Sequence, residues 1–264
     1  MVLMLLPEGD YDPTESGVPW AALRDAGLEV GFATPDGAPA FADERLVERG
    51  FGPLSPLLMT RRAELESYRR MTEDPAFRSP IRYEDVDPAS VDALVVPGGH
   101  APGMKTMLES AAAQELVREA FRAEKPVGAV CHGVLLIARS KDPRTGRSVL
   151  HGRRTTALPA TMELGAWALT RAWLGSYYRT YRETVQAEVT AALASPDDFL
   201  AGPRLPIRDS AASPHRGFSV RDGNYVSARW PGDCHRFAGE LVALMRSVKP
   251  SRAAGTSFLG QGLG

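Results

Sequence analysis

A cysteine and a histidine are adjacent at a point where the chain is expected to turn sharply from a strand into a helix. The segment KPVGAVCHGVLLIARS, residues 125–140, predicts a buried strand over 126–130 and an apolar helix directly after Cys131, His132 and Gly133. Such a turn lifts one side chain out at the carboxyl edge of a sheet, above a helix N-terminus. Unpaired N–H groups and the positive end of the helix dipole there favour the thiolate, the nucleophilic form of cysteine. We therefore predict that Cys131 is a reactive nucleophile.

A second turn that could bind a ligand follows the apolar strand pattern VDALVV, residues 91–96. Its sequence is Pro97-Gly98-Gly99-His100, and two glycines after a strand allow a tight turn that brings an N–H group close to a ligand. A helix and the Cys131 strand come next, so the carboxyl ends of successive parallel strands are expected to converge. Ligands bind at that edge in open α/β sheets.

The bulk composition limits the classes of function. The 264 residues are 44% hydrophobic and carry a net charge of −1, which gives no overall basic field for nucleic acid or an anionic membrane surface. Only two cysteines occur, Cys131 and Cys234, so no disulfide framework is expected. No run of about 18 apolar residues and no signal peptide stands out, and a cytoplasmic location is expected. No set of residues at metal-ligand spacing is visible, so we predict no metal and no cofactor.

The elements around these turns alternate between strand and helix patterns. A strand is predicted over 2–6, a loop over 7–14, and a helix over 20–26 with Pro19 in its first turn; a second strand over 28–32 completes one βαβ unit. A helix over 111–124 is expected to be capped by Ser110.

Residues 38–87 interrupt this rhythm, because they lack a clean strand and contain one candidate helix over 57–71. We interpret them as an insertion, either a lid over the site or a surface elaboration without a chemical role. Further along, 149–158 predicts a strand or hairpin, and 218–220 with 225–228 predicts a hairpin. The chain is expected to form one domain over 1–248, followed by a flexible tail over 249–264.

Four blocks together resemble a known family. PWAALRDAGLEVGFATPDG, VDALVVPGGH, KPVGAVCHG and DGNYVSARWPGD occur in this order, and they resemble the DJ-1/PfpI superfamily, most closely its Hsp31-type, glutathione-independent glyoxalase III branch. The resemblance covers most of residues 1–248. It implies an α/β fold, a flavodoxin-like three-layer sandwich with a mostly parallel central sheet and a nucleophile elbow. It also implies a homodimer.

The resemblance assigns four catalytic positions. Cys131 matches the nucleophile, His132 its neighbouring histidine, and Glu15 the acidic residue that follows the first strand. The third member of the family's triad, an Asp or Glu after the elbow helix, falls nearest to Glu163. For Glu163 the alternative is a solvated carboxylate at a helix start, and for the His132 ring it is a packing role only.

The resemblance also places backbone groups around the substrate. The N–H groups of Gly99 and His132 match the oxyanion hole, and Gly98, His100 and Gly133 belong to the same substrate-binding turns. His100 could line the pocket, but a histidine beside such a turn is more often an ordinary loop histidine.

Three functions are compatible with this pattern. The first is a glyoxalase III-like enzyme, in which the thiolate adds to a 2-oxoaldehyde and a 2-hydroxy acid is released without metal or glutathione. The second is a PfpI-like amidase or peptidase that acts on an amide substrate, and the third is a non-catalytic redox-sensing or holdase-type protein. A glutamine amidotransferase is disfavoured because no His-x-Glu pair follows and Ala129 replaces the first glycine of the Gly-x-Cys-x-Gly pattern.

Overall fold

The strands of the computed structural model, which describes residues 1–247, form a seven-stranded sheet and a two-stranded ribbon. The nine strands are β1 (Val2–Leu5), β2 (Gly9–Tyr11), β3 (Val30–Thr34), β4 (Phe41–Ala42), β5 (Ile81–Arg82), β6 (Ala93–Val96), β7 (Val127–Val130), β8 (Ser219–Asp222) and β9 (Tyr225–Ala228). The large sheet has the order β5-β3-β1-β6-β7-β9-β8, and only the β8–β9 pair is antiparallel. The predicted α/β fold with a mostly parallel central sheet is confirmed.

Ten α-helices accompany the sheet in the described part of the chain. They are α1 (Pro13–Asp25), α2 (Ser55–Leu58), α3 (Arg62–Glu73), α4 (Pro75–Arg78), α5 (Lys105–Leu108), α6 (Ala111–Arg122), α7 (Gly133–Arg139), α8 (Ala160–Leu174), α9 (Val185–Ala192) and α10 (Cys234–Ser247). Helices α1, α3 and α10 pack together, as do α6, α7 and α9, and the sheet carries helices on both sides. Every residue of β1, β6 and β7 is buried, as expected of parallel strands covered on both faces.

Helix α1 begins earlier than the sequence predicts, and the difference matters for Glu15. The helix starts at Pro13 because the Asp12 side chain accepts hydrogen bonds from the N–H groups of Thr14 and Glu15, at 2.7 and 3.2 Å. Pro19 lies inside the helix and not in its first turn. Glu15 therefore stands on the first turn of a helix instead of in a loop.

Residues 38–87 contribute to the main sheet as well as to its surroundings. They supply β5, an edge strand that pairs with β3, and α3, which corresponds to the predicted helix over 57–71 and packs against α1. The prediction that this segment lacks a strand is therefore wrong. Two-residue strands such as β5 are too short to leave a periodic pattern in the sequence.

Of three other predictions for single elements, two are confirmed and one is wrong. Ser110 caps α6, accepting from the N–H of Ala113 at 3.2 Å, and β8 and β9 form the expected hairpin. The strand or hairpin predicted over 149–158 is wrong, because this stretch forms turns with one isolated bridge at Thr155. The predicted tail over 249–264 lies outside the described residues. Within 1–247, no helix is both long and apolar enough to cross a membrane.

Candidate active site

The turn between β7 and α7 holds Cys131 in an unusual backbone conformation. Cys131 has φ = 55°, one of three positive values found among the non-glycine residues of 1–247. Such a conformation costs about 1 to 3 kcal/mol and persists where the surroundings enforce it. The Cys131 N–H donates to the carbonyl of Ala228 at 3.1 Å, and Gly133 lies so close to β6 that a Cβ there would be 2.3 Å from the Val96 oxygen. The nucleophile elbow is thus fixed from two neighbouring strands.

The side chains of Cys131 and His132 form a buried pair. The Sγ atom of Cys131 lies 3.5 Å from Nδ1 of His132, and the other ring nitrogen, Nε2, lies 3.3 Å from the hydroxyl oxygen of Thr180. Only 4% of Cys131 and 1% of His132 is exposed. Both ring nitrogens of His132 are therefore engaged, one toward the candidate nucleophile and one toward Thr180.

The first turn of α1 and the glycine turn meet beside this pair. The N–H of Gly98 donates to Glu15 Oε2 at 2.8 Å, and the N–H of Asp12 donates to the Gly98 carbonyl, also at 2.8 Å. A Cβ on Gly98 would lie 2.7 Å from that carboxylate oxygen and 2.8 Å from the His132 nitrogen. The structure therefore brings Glu15, Gly98, Cys131 and His132 together at the carboxyl edge of the sheet.

Two backbone N–H groups at this edge remain available to a ligand. Those of Gly99 and His132 donate to no backbone or side-chain oxygen of residues 1–247, and the His132 N–H lies toward the Cys131 sulfur. Gly99 has φ = 152°, and a side chain there would lie 2.7 Å from the Asp10 carbonyl oxygen. These are the groups that the sequence predicts for an oxyanion hole.

Burial and neighbouring charges shift the pKa values of the titratable groups in this site. Burial raises the pKa of the Cys131 thiol, and the negative charges of Glu15 and Asp12 raise it further, while the His132 N–H lowers it. Burial raises the pKa of Glu15, and the negative charge of Asp12 raises it further. Burial lowers the pKa of His132 to about 3. Burial and the two carboxylates thus act against the thiolate that the helix N-terminus is expected to favour.

Glu163 does not take the triad position predicted for it. It lies in the first turn of α8, where its Oε2 accepts from the N–H of Val185 at 2.9 Å and its Oε1 lies 3.4 Å from Nε of Arg179. His132 Nε2 is met by the Thr180 hydroxyl instead. Glu163 thus joins α8 to the start of α9, and in the described chain the third position beside His132 is occupied by a neutral residue.

Comparison with known families assigns the chain to one of them. A family model described as ThiJ/PfpI family-like matches residues 6–203. The chain belongs to the ThiJ/PfpI family.

Three proteins from other organisms are similar to more than half of this ThiJ/PfpI protein. A deglycase of Pyrococcus abyssi is 28% identical over 166 residues, which make up 63% of this chain and 69% of that protein. The DJ-1 homolog D of Arabidopsis thaliana is 31% identical over 155 residues, 58% of this chain, and the match spans only 34% of the plant protein. The crystal structure of glyoxalase III from Candida albicans superposes with a TM-score of 0.65, covering 92% of this chain and 96% of the other at 20% identity, which shows a shared fold.

Four aromatic side chains pack together near the turn that carries Cys131 and His132, and we call this group the aromatic cover: Phe51, His100, Tyr177 and Tyr178. His100 stacks on Tyr178 with ring centroids 4.2 Å apart, and Phe51 stacks on the other side of this group at 6.2 Å from Tyr178. Tyr177 packs edge-on against His100 and hydrogen-bonds to Asp43. Asp43 and Phe51 come from the insertion, so this segment contacts the loop that carries Thr180, in line with the lid interpretation.

One polar atom of the aromatic cover and one of Glu15 lack protein partners. Nε2 of His100 and Oε1 of Glu15 are buried and meet no nitrogen or oxygen partner within residues 1–247, and the Glu15 carboxyl also interacts with the Cys131 thiol. Buried polar atoms are normally hydrogen-bonded, so each is a candidate for contact with a substrate. Burial lowers the pKa of His100 to about 3, which leaves its ring neutral.

A surface groove of about 630 Å³ shares Phe51 with the aromatic cover. Its apolar walls include Leu54, Leu169 and Trp173, and Arg45 and Arg49 lie along it. The groove gives the outer side of the aromatic cover an apolar approach from solvent.

Two residues of the site were not found by sequence reasoning. Asp12 caps α1 and bonds to Gly98, and its spacing of three residues before Glu15 with Pro13 between them is a helix-start signal that could have revealed it. Thr180 has no local signal, because it lies in an irregular loop 48 residues from His132. Cys234, in contrast, is fully buried in α10, as expected for a structural cysteine. Within 1–247 no three His, Cys, Asp or Glu side chains cluster as metal ligands.

Proposed function

We propose that this protein is a cysteine-dependent enzyme that converts a 2-oxoaldehyde to a 2-hydroxy acid. The observation that carries the proposal is the buried convergence of the Cys131 thiol, a ring nitrogen of His132 at 3.5 Å and the Glu15 carboxyl, beside the Gly99 and His132 N–H groups, which donate to no oxygen of residues 1–247. A nucleophile, two proton carriers and an anion-binding pair are the groups that this reaction needs.

In the first step Cys131 adds to the aldehyde carbon. The S–H proton moves to Nδ1 of His132 as the S–C bond forms, and the carbonyl π electrons move to oxygen. The N–H groups of Gly99 and His132 stabilise the developing alkoxide, and the loss of one such donor typically costs about 2.7 to 4 kcal/mol of transition-state stabilisation. His132 then gives this proton to the alkoxide, which yields a hemithioacetal and restores the neutral ring.

In the second step a proton moves between the two carbons of the former dicarbonyl. Glu15 removes the proton from the carbon bonded to sulfur, which leaves an enediolate. The hydroxyl proton on that carbon moves to the neighbouring oxygen, and protonated Glu15 gives its proton to the neighbouring carbon. The result is a 2-hydroxyacyl thioester on Cys131. Water then hydrolyses the thioester, releasing the 2-hydroxy acid and the thiol. One carbon is oxidised and its neighbour is reduced, so water is the only co-reactant.

The raised pKa of Glu15 suits this role. Burial, and after it the charge of Asp12, raise the pKa of the Glu15 carboxyl above its usual range, which makes its carboxylate form a stronger base than that of an exposed glutamate. The names of two similar proteins, a deglycase and a glyoxalase III, support chemistry on reactive carbonyls. The substrate enters when the aromatic cover opens toward the groove beside Phe51.

The proposal is tested by giving the purified protein methylglyoxal in the absence of glutathione and with a chelator present. We expect lactate to form with multiple turnovers. Release of ammonia from small amides without any lactate would overturn the proposal in favour of a hydrolase. Oxidation of Cys131 by peroxide, with no turnover of either substrate, would overturn it in favour of a redox sensor.

A further inference from the structure

The hydroxyl group of Thr180 lies between two histidines. Its Oγ1 donates to the carbonyl oxygen of His100 at 2.5 Å and lies 3.3 Å from Nε2 of His132. Thr180 is 6% exposed, so water does not compete freely for these contacts. We propose that Thr180 is a positioning residue that fixes the His132 tautomer, leaving Nδ1 free to accept the proton of Cys131; this inference rests on the proposed function.

The single hydrogen of the Thr180 hydroxyl determines which ring nitrogen of His132 carries a hydrogen. A hydroxyl group carries one hydrogen, and a carbonyl oxygen can only accept, so the Thr180 hydrogen is committed to His100. Toward His132 the same oxygen can then only accept. Nε2 of His132 must therefore carry the hydrogen of the neutral ring, and Nδ1 presents its lone pair. That lone pair is the one 3.5 Å from the Cys131 sulfur.

The groups around the ring support a neutral imidazole. Burial, with the positive charge of Arg139 and the neighbouring His100, disfavours a second proton on His132. Cys131 faces Nδ1 of the ring, and the Glu15 carboxyl acts on Cys131. A neutral ring with a hydrogen fixed on Nε2 acts as a base at Nδ1 and not as an acid toward the resting thiol.

A threonine at this position has a different consequence from a carboxylate. A carboxylate would stabilise the imidazolium form and with it a permanent thiolate at Cys131. The neutral hydroxyl orients the ring without adding charge, so the thiol remains protonated until a substrate is bound. Thr180 shares its loop with Tyr177 and Tyr178, so the residue that meets His132 and two rings of the aromatic cover lie on one segment.

The tautomer can be measured directly by NMR on protein labelled with ¹⁵N in histidine, with the His132 signals assigned through the His132→Gln variant. We expect the Nε2–H tautomer in the wild type and in Thr180→Ser, which retains the hydroxyl. We expect Thr180→Val, which keeps the shape, to lose this preference and to lower kcat about 10²-fold with KM changed only a few-fold. Thr180→Asp should raise the fraction of thiolate, seen as faster alkylation of Cys131 by iodoacetamide at neutral pH.

These measurements test the positioning role of Thr180 separately from the proposed reaction. An Nδ1–H tautomer in the wild type, or an unchanged tautomer and kcat in Thr180→Val, would overturn it whatever the substrate. If no lactate forms but Thr180→Val still shifts the tautomer and Thr180→Ser does not, the positioning role stands and the proposed reaction falls. Thermal unfolding of each variant shows whether the fold is retained.

Discussion

The Sγ atom of Cys131 lies 3.5 Å from Nδ1 of His132 in a place that is almost closed to solvent. Burial raises the pKa of the thiol and lowers that of the imidazole, so both groups are neutral in the resting protein. In a neutral pair of this kind, Cys131 becomes nucleophilic when its thiol gives its proton to the His132 ring. Access to the sulfur, and the groups that control this proton transfer, are therefore the points at which the account can be tested.

Glu15→Gln should act in opposite directions on catalysis and on thiol reactivity. The amide oxygen can still accept from Gly98, but it cannot carry a proton between carbons, so kcat should fall about 10²- to 10⁴-fold. Removing the charge of Glu15 also lowers the pKa of the Cys131 thiol, so alkylation at a fixed pH should become faster. Lactate assays and iodoacetamide kinetics on the same sample check both. A parallel fall in both rates would contradict the assignment.

Tyr178→Ala should open the site. The substitution removes a ring that stacks on His100 and Phe51, and we expect a loss of about 3 kcal/mol in the free energy of unfolding. Alkylation of Cys131 should rise by roughly tenfold or more, since opening no longer breaks these contacts. Tyr178→Phe keeps the stacked ring and is the control. Equal alkylation rates in wild type, Tyr178→Ala and Tyr178→Phe would show that the aromatic cover does not limit access.

Glu163→Gln should affect stability far more than turnover. The carboxylate binds Arg179 and the Val185 N–H and does not contact His132, so kcat should stay within a few-fold of the wild type. Weakening this buried pair should lower the free energy of unfolding by about 1 to 3 kcal/mol. Denaturant unfolding and lactate assays separate the two effects. A loss of kcat comparable to that of Glu15→Gln, with stability unchanged, would restore Glu163 to the catalytic group.

His100 should make the protein less stable as the pH falls. Burial lowers its pKa from 6.5 to about 3, so between these values the unfolded chain binds more protons than the folded one. This contribution to stability is complete above about pH 6.5 and is lost progressively toward pH 3. In His100→Phe the dependence of unfolding free energy on pH should be shallower in that window. The exposed His151→Phe is the control for loss of a histidine; the same slope in wild type and His100→Phe would refute the assignment.

The sequence predicts those parts of the fold that depend on local pattern. Strands β1, β6 and β7 are continuous apolar runs, which is what burial on both faces of a parallel sheet requires. The start of α1 was misplaced because Pro19, a typical first-turn residue, lies within the helix, whereas the capping by Asp12 sets the true start. The strand β5 was missed because its two residues pair only in the context of the finished sheet.

The residues of the candidate site also differ in how far the sequence predicts them. Cys131 stands at the end of a strand that the pattern reveals, whereas Glu15 is reached only through the family resemblance, because the pattern places it in a loop and not on α1. The partner of His132 depends on how the loop after α8 packs, and no local pattern distinguishes Thr180 from Glu163 for that place. The pKa of the thiol likewise depends on burial, which a helix-start argument does not include.

The most direct test compares the two cysteines of the chain in the same assay. Cys131→Ser and Cys234→Ser are each given methylglyoxal, and lactate is measured beside the wild type, with thermal unfolding to confirm that both variants are folded. Cys234 lies buried in α10 with its thiol toward the Trp230 carbonyl, so its variant should retain turnover, whereas Cys131→Ser should lose at least about 10³-fold. Lactate formed by Cys131→Ser at the wild-type rate would contradict the account.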